Sequence, residues 1–308
     1  MMRILLQFPE GLKQKAMEYA KRYEKDGHEA FLSASPCYGA CDIALDEARW
    51  IKADKIIHFG HNKFLRSDSE IPIEYIEFKV DVDINKLASI LPLIKNKKNI
   101  ALATTVQHIH QFKDMKSFFE RNGKKVFADR GERASEIGQV LGCDALAITK
   151  VEKNVDAIVF VGNGMFHALA IDPHDDKIVL VFDPYDGSVR DIREDIKKLK
   201  KRRMGSLIKA LGAKRFGILL STKPGQFNIA LARNAKDELG KHGLDAHILV
   251  GNELDPMALN NFLSFDCFIS TACPRIADDS EKFEKPVLNP AMLNEFFRML
   301  KETKKSPR

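Results

Sequence analysis

The sequence predicts an α/β protein made of three similar βα-repeat domains, each with a parallel four-stranded sheet, arranged around a pseudo-threefold axis. Short apolar strand segments alternate with amphipathic helical segments along the 308 residues. The same order of elements occurs three times, and polar or Gly-containing loops follow the strands. Alternating strands and helices are typical of parallel sheets that are covered on both faces.

Each repeat opens with a strand that runs into a polar turn, at residues 4–11 (ILLQFPEG), 100–107 (IALATTVQ) and 216–225 (FGILLSTKPG). An amphipathic helical stretch follows each opening, at 12–26, 110–122 and 227–242. The next residue is glycine in every repeat (Gly27, Gly123 and Gly243), as expected just past a helix C-terminus.

Three further strands complete each repeat. We predict second strands at 29–33, 125–128 and 245–250, third strands at 55–59, 156–161 and 266–270, and fourth strands at 73–78, 177–182 and 286–288. The resulting domains are 1–84, 85–195 and 196–308. No Pro-rich or Gly/Ser-rich linker separates them, so we expect them to pack as one rigid body.

The composition argues against membrane-spanning, secreted and nucleic-acid-binding proteins. No apolar run approaches the roughly 18–20 residues that span a bilayer, and the N-terminal apolar segment is too short for a signal peptide, which predicts a cytoplasmic protein without a membrane partner. The net charge of +6 is concentrated at 197–203 and 301–308, which predicts solvated basic segments or, alternatively, a docking surface for an acidic macromolecule. Motifs for direct nucleic-acid binding are absent from the sequence.

One cysteine in each domain lies in a loop at the carboxyl end of a predicted strand: Cys41, Cys143 and Cys273. An isolated cysteine is usually a small buried hydrophobe. Here Gly39, Gly142 and the following Asp or Pro mark turns, where burial does not require cysteine. If the three loops meet, the three thiolates can hold one iron–sulfur cluster.

Three ligands for a [4Fe–4S] cluster would leave one iron with an open position for a substrate. Cys267 alternates within a predicted buried strand and is expected in the core. Cys37 lies four residues before Cys41, and we interpret it as a bystander near the site.

Several motifs together resemble the archaeal enzymes that perform the first step of diphthamide synthesis. The three cysteine motifs are 38–42 (YGACD), 141–143 (LGC) and 271–277 (TACPRIA). The resemblance continues in order over nearly the whole chain, at residues 9–12, 58–61, 104–107, 162–167, 183–185, 221–226 and 285–288. The sequence departs from the pattern at Cys37, an additional cysteine, and at Asn62, which replaces a serine.

This resemblance implies a homodimer in which Cys41, Cys143 and Cys273 of each chain bind one [4Fe–4S] cluster. It also implies an atypical radical enzyme that uses S-adenosylmethionine (SAM) and an external electron donor. Cleavage of the bond between the sulfonium and the methionine γ-carbon would release methylthioadenosine. The 3-amino-3-carboxypropyl group would pass to the imidazole C2 of a histidine in translation elongation factor 2. The implied enzyme is a 2-(3-amino-3-carboxypropyl)histidine synthase, a transferase.

The loops at the strand ends supply the expected SAM contacts. Backbone amides of a Gly-rich loop can receive a carboxylate, so we expect the 221–226 loop to bind SAM through Ser221, Lys223, Gly225 and Gln226. Gln7, His61 and Asn163 are further candidate polar contacts; their alternative roles are loop hydrogen bonding and capping.

Three other classes of function fit part of the sequence, and the weakest of them is a cluster-free methyltransferase. A dehydratase of the quinolinate-synthase type also has three similar domains and would use the open iron as a Lewis acid. A non-catalytic, metal-stabilised binding module would dock through the basic 197–203 segment.

Overall fold

The computed structural model describes residues 1–65 and 68–305, and the chain divides into two compact units, Met1–Ile196 and Lys197–Arg308. The first unit contains two sheets and the second unit contains one. Over the described ranges, no helix combines the length and apolar character that crossing a bilayer requires.

The first sheet has the strand order β2-β1-β3-β4, and all its pairs are parallel. Its strands are β1 (Arg3–Gln7), β2 (Glu29–Leu32), β3 (Lys55–Phe59) and β4 (Ile73–Ile76). The first connection is a 3₁₀ segment at Glu10–Lys15 followed by helix α1 (Ala16–Lys25), and helix α2 (Leu45–Trp50) precedes β3.

The second sheet belongs to the same unit and has the order β6-β5-β7-β8-β9. Its strands are β5 (Asn99–Thr104), β6 (Lys125–Phe127), β7 (Ala157–Val161), β8 (Ile178–Phe182) and β9 (Val189–Asp191). Helices α3 (Phe112–Arg121), α4 (Leu146–Thr149) and α5 (Met165–Ala168) and 3₁₀ segments at Ile84–Ile94, Ile109–Gln111 and Glu152–Asn154 connect or precede these strands. The last strand, β9, is antiparallel and adds a fifth member to the predicted four.

The second unit repeats the parallel order as β11-β10-β12-β13. Its strands are β10 (Arg215–Ser221), β11 (Asp245–Gly251), β12 (Cys267–Ser270) and β13 (Val287–Leu288). The helices are α6 (Arg193–Ala210), which begins four residues before the unit, α7 (Ile229–Lys241), α8 (Pro256–Asn260) and α9 (Leu293–Lys305). Short 3₁₀ turns lie at Pro274–Ile276, Ser280–Lys282 and Pro290–Met292.

Both faces of the central strands are buried, which explains their nearly continuous apolar sequence. In β5, Ile100 and Leu102 join one core cluster while Ala101 and Ala103 join another, because successive strand side chains point to opposite faces. The predicted fold class of three parallel α/β sheets is thereby confirmed. Nothing in the structure tests the boundary at residue 84, so the three-domain division stays a prediction.

The three helix-ending glycines have left-handed backbone conformations. Gly27, Gly123 and Gly243 have φ values of 81°, 75° and 72°, a region in which a Cβ atom is unfavourable. The sequence signal for the end of the first helix in each repeat therefore has a direct conformational cause.

Candidate functional site

A buried glutamine organises the loop that follows Cys41. Gln7 is opposite His58 in the β1–β3 register, and the His58 Nδ1 atom lies 2.9 Å from the Gln7 Oε1 atom. The same Oε1 accepts from the Ala44 N–H at 3.2 Å, while Nε2 donates to the Asp42 carbonyl at 2.7 Å. Because Oε1 can only accept, the proton in the His58 contact belongs to Nδ1.

A second histidine and a cysteine complete this buried group. His58 Nε2 lies 2.9 Å from His61 Nδ1, and one ligand atom each of Cys37, His58 and His61 lies within 4.8 Å of the other two. We call Gln7, Cys37, His58 and His61 the histidine cluster. It brings together two predicted SAM-contact residues, Gln7 and His61, with the cysteine that we interpret as a bystander.

Desolvation is the main cause of the pKa shifts in the histidine cluster. Desolvation lowers the pKa of His58 to about 3 and that of His61 to about 4, so both rings are neutral at pH 7. Desolvation, followed by the nearby Asp42 carboxylate, raises the pKa of the Cys37 thiol to about 12. A thiol in this state is a weak nucleophile unless a cation replaces its proton.

The partly exposed Cys41 lies in a turn held by the next residue. The Asp42 carboxylate is 5% exposed and accepts from the Tyr38 N–H at 3.3 Å, and its own N–H donates to the Gly39 carbonyl at 2.9 Å. These two bonds close the turn that contains Cys41 and so fix the backbone of that turn.

Cys143 lies in a similar turn at the second sheet. Leu141 and Asp144 exchange backbone hydrogen bonds across it, and the buried Asp144 carboxylate accepts from the Leu146 N–H at 3.0 Å and the Arg133 N–H at 2.5 Å. Cys143 is partly exposed. The same arrangement, a cysteine followed by a buried aspartate that binds nearby N–H groups, thus occurs at both sheets of the first unit.

An amide pair connects the loops of these two sheets. Asn62 Nδ2 donates to Gln139 Oε1 at 3.1 Å, and Gln139 Nε2 donates back to Asn62 Oδ1 at 3.2 Å. Gln139 is fully buried, and its Oε1 also accepts from the N–H groups of Ser135 and Glu136. The residue that departs from the family pattern, Asn62, therefore helps to hold the Cys143 segment.

In the second unit, a buried aspartate again holds the cysteine turn, but its partners are guanidinium groups. Asp278 Oδ1 accepts from Arg203 Nε at 2.7 Å, and Oδ2 accepts from Arg203 Nη2 at 3.1 Å and Arg275 Nη1 at 2.8 Å. The carboxylate side chain is 3% exposed. Arg203 belongs to the basic segment predicted to be a solvated face, and this prediction is wrong for that residue, because Arg203 pairs with a buried carboxylate.

Cys273 is partly exposed and begins the 3₁₀ turn that Asp278 follows. The Cys273 carbonyl accepts from the Ile276 N–H at 3.1 Å, and Thr271 bonds the Leu219 carbonyl through both its N–H and its hydroxyl. The two arginines therefore tie helix α6 and the cysteine turn to one buried carboxylate.

The loop predicted to bind SAM leaves β10 as a tight turn. The Lys223 N–H donates to Ser221 Oγ at 3.1 Å, and the Gln226 N–H donates to the Lys223 carbonyl at 2.9 Å. The Lys223 ammonium, whose side chain is 6% exposed, donates to Glu253 at 2.7 Å and Asn252 at 3.3 Å. Gly225 and Gln226 are half-buried in the same turn.

The five cysteines separate by exposure as the sequence suggests. Cys37 and Cys267 are buried, whereas Cys41, Cys143 and Cys273 are partly exposed. Cys267 is fully buried in β12, and desolvation raises the pKa of its thiol, which confirms the expected core position. Joint ligation of one cluster by the other three stays a prediction.

The remaining predicted SAM contacts also stay predictions. Asn163 is exposed in the loop after β7, and Gln7 uses its amide within the histidine cluster.

No sequence pattern indicated that Arg203 and Gln139 hold the cysteine loops. The aspartates after Cys41 and Cys143 are predicted only to mark turns. In the structure both are buried, and their carboxylates accept from nearby backbone N–H groups.

Comparison with known proteins identifies relatives of the whole chain. The model of the diphthamide synthesis protein family matches residues 8–307. A 2-(3-amino-3-carboxypropyl)histidine synthase from Pyrococcus horikoshii is 37% identical over 94% of this chain and 83% of the relative. The enzyme of the same name from Methanocaldococcus jannaschii is 30% identical over 96% of this chain and 84% of the relative. These names agree with the predicted transferase class.

The fold also matches a solved structure. A crystal structure of Dph2 from Pyrococcus horikoshii with a 4Fe-4S cluster aligns with a TM-score of 0.88 and 36% sequence identity. The alignment covers 97% of this chain and 86% of the Dph2 chain.

Proposed function

Because the chain belongs to the diphthamide synthesis family, we propose that it catalyses the first step of diphthamide formation. In this reaction the 3-amino-3-carboxypropyl group of SAM passes to the imidazole C2 of a histidine in elongation factor 2, and methylthioadenosine is released. The observation that carries the proposal is the likeness, over nearly the full chain, to Dph2 with its 4Fe-4S cluster. A homodimer and an external electron donor complete the proposed system.

The proposed ligands of a [4Fe–4S] cluster are Cys41, Cys143 and Cys273. Three properties of these residues support the assignment: they follow strands of three different sheets, they are partly exposed, and each lies beside a buried aspartate that fixes its turn. A cluster with an open position for a substrate must be reachable from solvent, and partly exposed sulfurs allow that access. Cys37 and Cys267 lack that exposure.

When bound, the cluster supplies the electron that breaks the sulfonium–carbon bond. The protein residues must hold SAM so that the γ-carbon, rather than the methyl or adenosyl carbon, is the one released. We expect the 221–226 turn to hold the methionine end through the Gly225 N–H and the Gln226 side-chain amide, because N–H donors can receive a carboxylate. Ser221 and the Lys223–Glu253 ion pair fix that turn.

The other proposed SAM contacts are polar groups of the first unit. His61 is partly exposed, and we expect it to reach SAM with the ring nitrogen that does not face His58. Gln7 sets the position of the Cys41 turn through Asp42 and Ala44. Asn163 is exposed and can donate to the sugar or the base.

The decisive experiment is anaerobic incubation of the cluster-containing protein with dithionite, SAM and elongation factor 2, followed by product identification. Methylthioadenosine and a 3-amino-3-carboxypropyl adduct on a histidine are the expected products. Intact SAM in the presence of an intact cluster would contradict the proposal and favour the dehydratase class. Zinc without iron or sulfide would favour a metal-stabilised binding module.

Cysteine variants test the ligand assignment separately from the reaction. Replacement of Cys41, Cys143 or Cys273 by Ala is expected to abolish the normal cluster absorption, whereas Cys267→Ala is the matched control that retains it. A stable, unaltered cluster in the Cys273→Ala protein would refute ligation from three sheets.

A further inference from the structure

We propose that Cys37, His58 and His61 form a second, mononuclear metal site of the zinc class, separate from the proposed iron–sulfur ligands. The site lies within the first unit and uses the carboxyl ends of its strands. It does not depend on the proposed transferase function.

The donor geometry suits a small divalent ion. The three ligand atoms lie within 4.8 Å of one another, and the two ring nitrogens are 2.9 Å apart. Tetrahedral zinc with bonds of about 2.0–2.1 Å to nitrogen separates two ligand nitrogens by about 3.3 Å. The rings must therefore move apart by only a few tenths of an ångström to admit the ion.

The hydrogen bonds around the rings prepare His58 as a ligand. His58 donates its Nδ1–H to Gln7, and its Nε2 faces His61 Nδ1 at 2.9 Å. A neutral imidazole has one N–H, so a ring that donates it to an oxygen keeps a lone pair on the other nitrogen. Metal-binding histidines characteristically make such a bond to an oxygen acceptor with the nitrogen that does not bind the metal.

Gln7 is itself fixed, which distinguishes this arrangement from a chance contact. Its amide bonds the Asp42 carbonyl and the Ala44 N–H, so the oxygen cannot turn away from His58. The lone pair of His58 Nε2 therefore points toward His61.

Charge and donor type favour a divalent ion of intermediate softness. On binding, the Cys37 thiol would lose its proton, and the Asp42 carboxylate lies close enough to act on that sulfur. The two negative charges together balance a divalent cation. One thiolate with two imidazoles selects zinc-like ions over magnesium or calcium, and the partly exposed side of His61 leaves room for a water as the fourth ligand.

The first test uses the full-length chain with Cys41, Cys143 and Cys273 all replaced by Ala, so that metal cannot bind the proposed cluster ligands. Titration with Co²⁺ is expected to give one equivalent of a four-coordinate ion, with a thiolate charge-transfer band, which zinc then displaces. Adding His61→Ala should weaken binding at least tenfold. His110→Ala, which changes a histidine bonded to Asp81, is the matched control and should leave binding unchanged.

The second test uses the cluster-containing protein, in case the triple variant does not fold. Elemental analysis of wild-type protein grown with zinc and purified without chelator should give about one zinc per chain in addition to iron. Cys37→Ala should lose the zinc and keep the iron. The proposal would be overturned if the wild type contained no zinc, or if the wild type and Cys37→Ala contained equal zinc. In the first test, unchanged Co²⁺ binding after His61→Ala would overturn it as well. Loss of iron from the wild type would count against the transferase proposal instead.

Discussion

Asp278→Asn is expected to destabilise the second unit strongly, because the substitution keeps the shape of the side chain but removes its charge. The carboxylate receives three charge-assisted bonds of 2.7–3.1 Å from Arg203 and Arg275. An asparagine amide can accept from one guanidinium, while its NH₂ group faces the other donor. Both arginines then lose the carboxylate that they share.

The magnitude follows from the burial of the three groups. Removing one member of a buried ion pair costs about 3–5 kcal/mol of unfolding free energy. The side chains of Asp278 and Arg275 are 3% and 13% exposed, but that of Arg203 is 29% exposed and can turn toward water. We therefore expect the lower end of the range, about 3 kcal/mol, or roughly a hundredfold in the opening equilibrium.

Urea-dependent hydrogen exchange, measured in peptides of β10 and β12, reports on the second unit without requiring the whole chain to unfold in one step. Asp279→Asn is the matched control. Its carboxylate pairs with Lys282 at 2.7 Å, but both side chains are more than half exposed, so the loss should be at most about 0.5 kcal/mol. Equal stability of the two variants would refute the role of Asp278 as the anchor of the Cys273 turn.

Three further predictions concern the first unit and the buried thiols. Gly138→Ala should destabilise the protein by about 2–4 kcal/mol, because Gly138 has φ of +80° and an added Cβ would lie 2.2 Å from the buried Phe112 ring. Stability of metal-free, cluster-free protein should fall as the pH drops from about 6.5 toward 3, because the folded-state pKa values of His58 and His61 are about 3 and about 4 and the unfolded chain binds both protons first. Cys37 and Cys267 should resist iodoacetamide at pH 8 in folded protein, since burial raises the pKa of both thiols.

Each of these predictions has its own control. Gly11→Ala introduces a Cβ with no atom within 4 Å, so a loss equal to that of Gly138→Ala in thermal unfolding would contradict the steric argument. His58→Gln should make the decline of stability below pH 6.5 less steep, because only His61 then contributes, and an unchanged slope would exclude His58 as a source of the decline. Urea-unfolded protein should alkylate at all five cysteines, and rapid native labelling of Cys37 would show that its site opens.

The sequence alone determined the repeated α/β order, because its signals are local. An apolar run such as residues 100–104 becomes a strand buried on both faces, and a glycine such as Gly123 ends a helix because its backbone adopts φ of 75°. Chain order also placed Cys41, Cys143 and Cys273 in loops that follow a strand and Cys267 inside a strand. These features depend on neighbours along the chain, which a sequence displays directly.

Only the tertiary structure decided which polar groups are partners. Arg203 and Asp278 are 75 residues apart, Asn62 and Gln139 are 77 apart, and Gln7 and His58 are 51 apart. The chain contains many similar charged and amide side chains, and no local pattern separates these from the solvated ones. The difference arises on folding, when a few lose water and must then bond to whichever group the sheets bring beside them. The sequence thus placed the cysteines and named Gln7 and His61 as candidates, while packing selected the aspartates and Arg203 as the groups that hold the cysteine turns.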